Sequence, residues 1–170
     1  MNNLSCLITL FLCCSLNLQA QTYDIRDFGA VANDDKMDTP AIQSAIDLCH
    51  QNGGGEVWLT AGTYHTGSLR LRSKVYLHLS STARLIGSTQ QTDYPDPNSP
   101  HLIFADSATQ TGIIGKGTID GQGLTFFDRS KSSWRALNWR PRPWILFHHC
   151  NQVQIEDVQL LNSPAHVLVT

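Results

Sequence analysis

Apolar residues fall at every second position in several runs of the chain: Val57 and Leu59, then Val75, Leu77 and Leu79, each separated by one polar or aromatic residue. A period of two puts the apolar side chains on one face of an extended strand, so these runs predict strands with one buried face. Residues 23–35 begin the same way, with a strand carried by Tyr23, Ile25 and Phe28 and a turn at Gly29 and Asn33-Asp34-Asp35. Between them the rhythm changes. Ile42, Ala45, Ile46 and Cys49 recur at helical spacing, Thr39 offers a capping hydroxyl, Pro40 suits a first turn, and Gly53-Gly54-Gly55 stops the run. This predicts a helix over 40–52, with Gln43, Ser44, Asp47 and Gln51 on its polar face.

After the helix the chain repeats a loose unit of short strand, turn and strand, clearest at 74–79, 83–86, 112–119, 144–147, 153–160 and 166–169. Gly87, Gly115, Gly117, Gly121 and Gly123 mark turns, as do Asn151 and Asn162-Ser163-Pro164. The strand starts are unevenly spaced, so the sequence demonstrates no strict repeat. One helix at the N-terminal end of many short strands suits a solenoid better than a sandwich, because the first coil of a solenoid needs a cover. The expected fold is therefore all-β, with the helix as a cap. Two stretches, 90–100 and 126–143, break the pattern and read as loops long enough to carry function. No linker divides the chain.

The first twenty residues stand apart. Leu4 to Leu16 form an apolar stretch of signal-core length, too short to span a bilayer, and small Ala20 suits cleavage, leaving 21–170 as one domain. The expectation is a secreted or periplasmic protein. The segment Met1 to Ser5 lacks Lys and Arg, and the competing readings are a buried N-terminal element or lipid attachment at Cys13 or Cys14.

Twelve Lys plus Arg against fourteen Asp plus Glu give a net charge of −2, which argues against a general binder of nucleic acid or of anionic membranes. Of five cysteines, Cys6, Cys13 and Cys14 lie in the leader, so Cys49 and Cys150 remain, either paired or as two buried thiols. Neither Cys-x-x-Cys nor His-x-x-x-His occurs, so no structural zinc motif is present in the sequence.

Specific motifs add a resemblance. Asp27-Phe28-Gly29-Ala30, Asp38-Thr39, Ala41-Ile42, Gly53-Gly54-Gly55-Glu56-Val57 and Ala61-Gly62-Thr63-Tyr64 resemble the opening of the pectin-degrading parallel β-helix superfamily. Thr66-Gly67-Ser68-Leu69, Leu71-Arg72-Ser73 and Leu85-Ile86-Gly87-Ser88 continue it. Gly117-Thr118-Ile119-Asp120-Gly121-Gln122-Gly123, Arg142-Pro143 through Phe147, and Ile155 to Asn162-Ser163-Pro164 look like glycoside hydrolase family 28, the polygalacturonases. The resemblance implies a right-handed parallel β-helix that cleaves α-galacturonosyl linkages of pectin by inverting hydrolysis, without a cofactor and as a monomer when complete. It also implies that glycines supply the φ > 0 corners of the coils.

Inverting hydrolysis needs a general acid and a carboxylate that activates water, about 6.5–9.5 Å apart. The family carries these in Asn-x-Asp, Asp-Asp, Gly-His-Gly and Arg-x-Lys, in that order, beginning after the Asn-Ser-Pro region. Here that region ends six residues before Thr170, so the resemblance implies that the catalytic residues lie C-terminal to Thr170 and that 21–170 is an N-terminal portion of the β-helix, truncated at its C-terminal end and inactive by itself. The alternatives are a non-catalytic polysaccharide-binding β-helix and a pectate-lyase-like or epimerase-like relative.

Local look-alikes read otherwise. Asp34-Asp35 belongs to a turn, Arg72-Ser73-Lys74 is a solvated strand edge out of order, and alternation puts Glu156 and Asp157, like His148 and His149, on opposite faces. No metal site is expected. The stretch 134–144 packs three Trp and three Arg into eleven residues. Trp139, Arg140 and Arg142 are the candidate contacts to an acidic plant polysaccharide, since Trp offers a flat apolar face and Arg a fork for carboxylates. The alternative is that Trp144 starts a core strand and the Arg residues pack on aromatic faces.

Overall fold

Apart from one small antiparallel pair, the strands pair in parallel with those of the adjacent coils, so the backbone winds in place of folding back as hairpins. The computed structural model describes residues 21–96, 98–128, 130, 135–136 and 139–169, and for 135–136 the backbone alone. The leader with Cys6, Cys13 and Cys14, and Trp134, lie outside the described residues.

Strand β1 (Gln21–Asp24) and helix α1 (Thr39–Gln51) precede the coils. The first coil runs β2 (Gly55–Leu59), β3 (Gly62–Thr66) and β4 (Leu69–Arg70). The second runs β5 (Val75–Leu79), β6 (Ala83–Gly87) and β7 (Ile103–Asp106). The third holds β8 (Thr109–Gly115), β9 (Thr118–Asp120), a small antiparallel pair β10 (Phe127–Asp128) and β11 (Arg135–Ala136), and then β12 (Ile145–His148). The fourth is β13 (Asn151–Glu156), β14 (Gln159–Leu161) and β15 (Leu168–Val169). Stacking gives three parallel sheets, β1-β2-β5-β8-β13, β3-β6-β9-β14 and β4-β7-β12-β15. The fold is a right-handed parallel β-helix with one capping helix.

Register explains the period of two. Tyr23, Val57, Leu77, Ile113 and Ile155 stack in one ladder of the first sheet, Tyr64, Leu85, Ile119 and Leu160 in the second, and Leu69, Ile103, Ile145 and Leu168 in the third. Each fully buried aliphatic residue of these ladders stabilises by roughly 1.5–3 kcal/mol. The ladders end unevenly: Leu69, Ile103 and Ile145 are 0% exposed, whereas Leu168 is 40% exposed. At the other end α1 covers the core with Ile42, Ala45, Ile46 and Cys49.

Several local expectations shift. The helix spans Thr39–Gln51, one residue earlier than the pattern predicts, with Asp38 at the N-cap position. The Thr39 hydroxyl does not cap as expected, and Asp38 at the cap position makes no side-chain cap bond either, because both side chains bind outside the helix. The Asp38 carboxylate accepts from the Val31 and His65 N–H groups, and the Thr39 hydroxyl accepts from Gly67 N–H at 2.8 Å. The stretches 112–119 and 153–160 are each two strands, broken by corners at Gly115 (φ 107) and Asp157 (φ 61). Most other left-handed corners are not glycine: Lys74, Ser107, Gln110, His149, Gln152 and Asn162 all take positive φ, so the stacking of coils overrides the local preference there. Cys49 and Cys150 are free thiols, the first buried and the second half-buried.

Candidate functional site

A groove lies on the outer face of the third sheet. Alternation sends Phe104 of β7 and Leu146 of β12 outward in register, and Arg70 of β4 sits one coil before Phe104, its guanidinium 5.9 Å from the Phe104 ring centre. Phe104 and Leu146 form the floor, and Arg70 stands beside it. Phe104 and Leu146, with Ser68, Tyr94, His101, Asp106 and His148, line a cavity of about 320 Å³.

The wall is the loop after β6. Its Tyr94 is buried, donates from its hydroxyl to the Ser88 carbonyl at 2.8 Å, and has its phenol pushed up by burial. The loop can sit this close because Gly67 has no side chain: a Cβ there would lie 2.1 Å from the Asp93 carbonyl oxygen. His101 closes the same wall. The Pro143 carbonyl 2.7 Å from His101 Nδ1 can only accept, so in the neutral ring Nδ1 carries the proton and the Ser99 hydroxyl donates to Nε2 at 2.8 Å. Arg142 N–H donates to the Pro100 carbonyl at 2.9 Å. The two stretches read from sequence as functional loops therefore meet beside one groove.

The predicted contact residues divide. Trp139 is wedged between Tyr94 and Phe126, ring centres 5.2 and 5.3 Å away, and its indole N–H is buried without a partner among the described residues. Arg140 is half-buried with its guanidinium 5.5 Å from the Phe127 ring. Arg142 is exposed, and Trp144 is buried immediately before β12. Trp139 and Arg140 thus use their flat faces within the loop, and of the three candidates Arg142 is the exposed one.

The histidine pair departs from the expectation. His148 ends β12, but His149 takes φ 51 and leaves the strand, so alternation fails and the two rings lie 3.8 Å apart on one side. A third group is also near. Asp106 Oδ1 stands 2.8 Å from His148 Nδ1, and that hydrogen bond holds the Asp106 carboxyl below the usual carboxylate range.

Sequence reasoning missed a second cluster, on the outer face of the first sheet. Glu56 accepts from the Trp58 indole N–H at 2.8 Å and lies 2.8 Å from His78 Nδ1, while the Trp58 and His78 rings stack 4.0 Å apart. Its signal was present as two outward positions, Glu56 and Trp58, but the pairing of Trp58 with His78 exists only once the coils stack. Glu156 and Asp157 also share a surface, against expectation. The corner at Asp157 turns it back, and both residues line one shallow cavity with Trp58, His78 and Lys116. Two other motifs are structural. Arg72 pairs with Asp47 of α1 at 2.8 Å, so it braces the cap and is not merely a solvated edge; Asp34 accepts from the Lys36 N–H within its turn.

Comparison with known proteins supplies the relatives. Residues 49–170 match the family model of glycosyl hydrolases family 28. The Vitis vinifera protein named "Probable polygalacturonase" is 29% identical over 171 residues, covering 89% of this chain and 34% of that protein. An exo-poly-alpha-D-galacturonosidase of Dickeya chrysanthemi is 34% identical over 118 residues, 59% of this chain and 19% of that protein. Mannuronan C5-epimerase AlgE5 of Azotobacter vinelandii is 41% identical over 127 residues, 69% of this chain and 12% of its own length. Among solved structures, the family 28 exopolygalacturonase of Yersinia enterocolitica superposes with a TM-score of 0.70 at 24% identity, over 86% of this chain and 35% of that one. The chain spans about a third or less of the length of these proteins.

Proposed function

The chain belongs to glycosyl hydrolase family 28, and from that premise we propose that it forms the N-terminal coils of an exported polygalacturonase, cut after Ala20, that hydrolyses α-galacturonosyl linkages of pectin with inversion. The observation that carries this reading is the family match over 49–170, the segment that builds the third sheet and its groove. Galacturonan is a chain of rings bearing carboxylates. The groove offers it an apolar floor of Phe104 and Leu146, and two cationic residues flank it: Arg70 beside Phe104, and exposed Arg142, whose backbone bonds Pro100 of the wall.

The chemistry needs a proton donor and a water-activating carboxylate on opposite sides of the scissile bond. The hydrogen bond to His148 holds the Asp106 carboxyl below the usual carboxylate range, which fits it to hold a ligand in place and not to donate a proton. In this reading the two catalytic carboxylates come from coils that stack on β15 beyond Thr170, and residues 21–170 supply the binding end of the groove. The match to mannuronan epimerases marks the competing chemistry, proton abstraction beside a uronate carboxylate, in which no glycosidic bond is hydrolysed. Reducing-end release from polygalacturonate by the product of the whole reading frame tests the proposal. Phe104→Ala should raise KM several-fold with little change in kcat, residues 21–170 alone should release nothing, and no release by the whole product would refute it.

A further inference from the structure

Two nitrogens and one carboxylate converge at the rim of the groove. Asp106 ends β7 and His148 ends β12, and the in-register pairing of these strands sets them side by side on adjacent coils. Strand alternation would then carry His149 to the other face. Its left-handed backbone, φ 51, brings it back, so the ring centres of His148 and His149 stand 3.8 Å apart. One ligand atom from each of Asp106, His148 and His149 lies within 4.8 Å of the others.

These distances suit a small cation. Zinc bonds to imidazole nitrogen and carboxylate oxygen at about 2.0–2.2 Å, which separates tetrahedral ligands by roughly 3.3 Å. The His148 Nδ1 to Asp106 Oδ1 contact at 2.8 Å is already inside that span, and the second histidine needs only a side-chain adjustment at an exposed position. The hydrogen bond between Asp106 and His148 explains two of the three residues. It leaves unexplained why the corner residue is a histidine laid against the first. A cation accepting both imidazoles accounts for all three.

We propose that Asp106, His148 and His149 form a binding site for a zinc-class divalent transition metal at the rim of the groove. The donor set excludes the hard cations as preferred occupants, since Mg²⁺ and Ca²⁺ favour all-oxygen shells. Three protein ligands leave at least one coordination position for water or for an anionic ligand. The nearby Arg70 opposes the charge of the ion, so affinity should be moderate. The site differs in chemistry from the hydrolysis, which is carried by carboxylates alone, and its existence does not depend on that activity.

Titration of Zn²⁺ into the whole protein by calorimetry, with Mg²⁺ and Ca²⁺ as comparisons, is the test. One equivalent should bind with a micromolar Kd. His148→Ala and Asp106→Asn should each weaken it tenfold or more. His149→Asn should do the same while preserving the corner, because asparagine tolerates the left-handed region, and an unchanged thermal melt would show that the fold survives. Absence of saturable Zn²⁺ binding, equal binding of Mg²⁺, or Zn²⁺ affinity unchanged in the three variants would each overturn the proposal.

Discussion

The Arg84 guanidinium donates to Asp120 Oδ2 at 2.5 Å, tying the second coil to the third through a side chain that is only 6% exposed. The other oxygen of Asp120 accepts from Gln122 N–H at 2.9 Å and from the Asn162 amide of the fourth coil at 3.0 Å. One side chain therefore joins three successive coils. Burial pushes the Asp120 carboxyl up, but the Gln122 N–H, the Asn162 amide and the Arg84 guanidinium together pull it further down, below the usual carboxylate range.

A pH-dependent stability follows from that balance. A carboxyl whose folded pKa is depressed contributes stability that is fully present above its unfolded value, near pH 3.9, and is lost as pH falls through the folded value. Asp120→Asn keeps the shape but loses the charge, and should cost about 1–3 kcal/mol at neutral pH. Thermal melts of the two proteins should differ fully at pH 7 and converge as the pH drops below about 4. A gap that stays constant through that range would show that the charge of Asp120 contributes nothing.

Trp139 and Arg142 should separate packing from binding. Trp139→Ala removes a ring held between Tyr94 and Phe126, and should destabilise by about 2–4 kcal/mol, because the half-buried ring leaves a cavity in the loop. Arg142→Ala, at an exposed position, should leave the melt within about 0.5 kcal/mol of the parent. Affinity for an oligogalacturonate should fall in the arginine variant if Arg142 meets the substrate carboxylates. Unchanged affinity would remove it from the binding surface.

The core and the cap were legible because their signals are local. Val57, Leu77 and Ile113 announce a buried face by alternation, and Ile42, Ala45, Ile46 and Cys49 announce a helix by spacing, wherever the partner strands lie. The corners were not. Ser107, His149 and Asp157 adopt left-handed backbone although L side chains avoid it, since the next coil must start in register with the last. The site was hidden for a related reason: Asp106 and His148 are 42 residues apart and meet only through stacking. The tryptophan- and arginine-rich stretch was visible as composition, but which of its faces would point inward was not.

Thiol chemistry offers an independent check of the cap. Burial pushes the Cys49 thiol up to about 11, so it should resist a thiol reagent at pH 8 in the native protein. Cys150, half-buried, should react first, with Cys49 following only on denaturation. An intact mass two units lower than the dithiol form would instead show that the two are joined.

Product stereochemistry tests the central claim most directly. Protein translated from the whole reading frame would be mixed with oligogalacturonate in an NMR tube, and the anomeric proton of the newly formed reducing end followed from the first minutes. Hydrolysis with inversion of the α-linkage predicts that the β-anomer appears first and the α-anomer only later, by mutarotation. An initial α-anomer, an unsaturated uronate at the cleaved end, or epimerised sugar with no cleavage would contradict it.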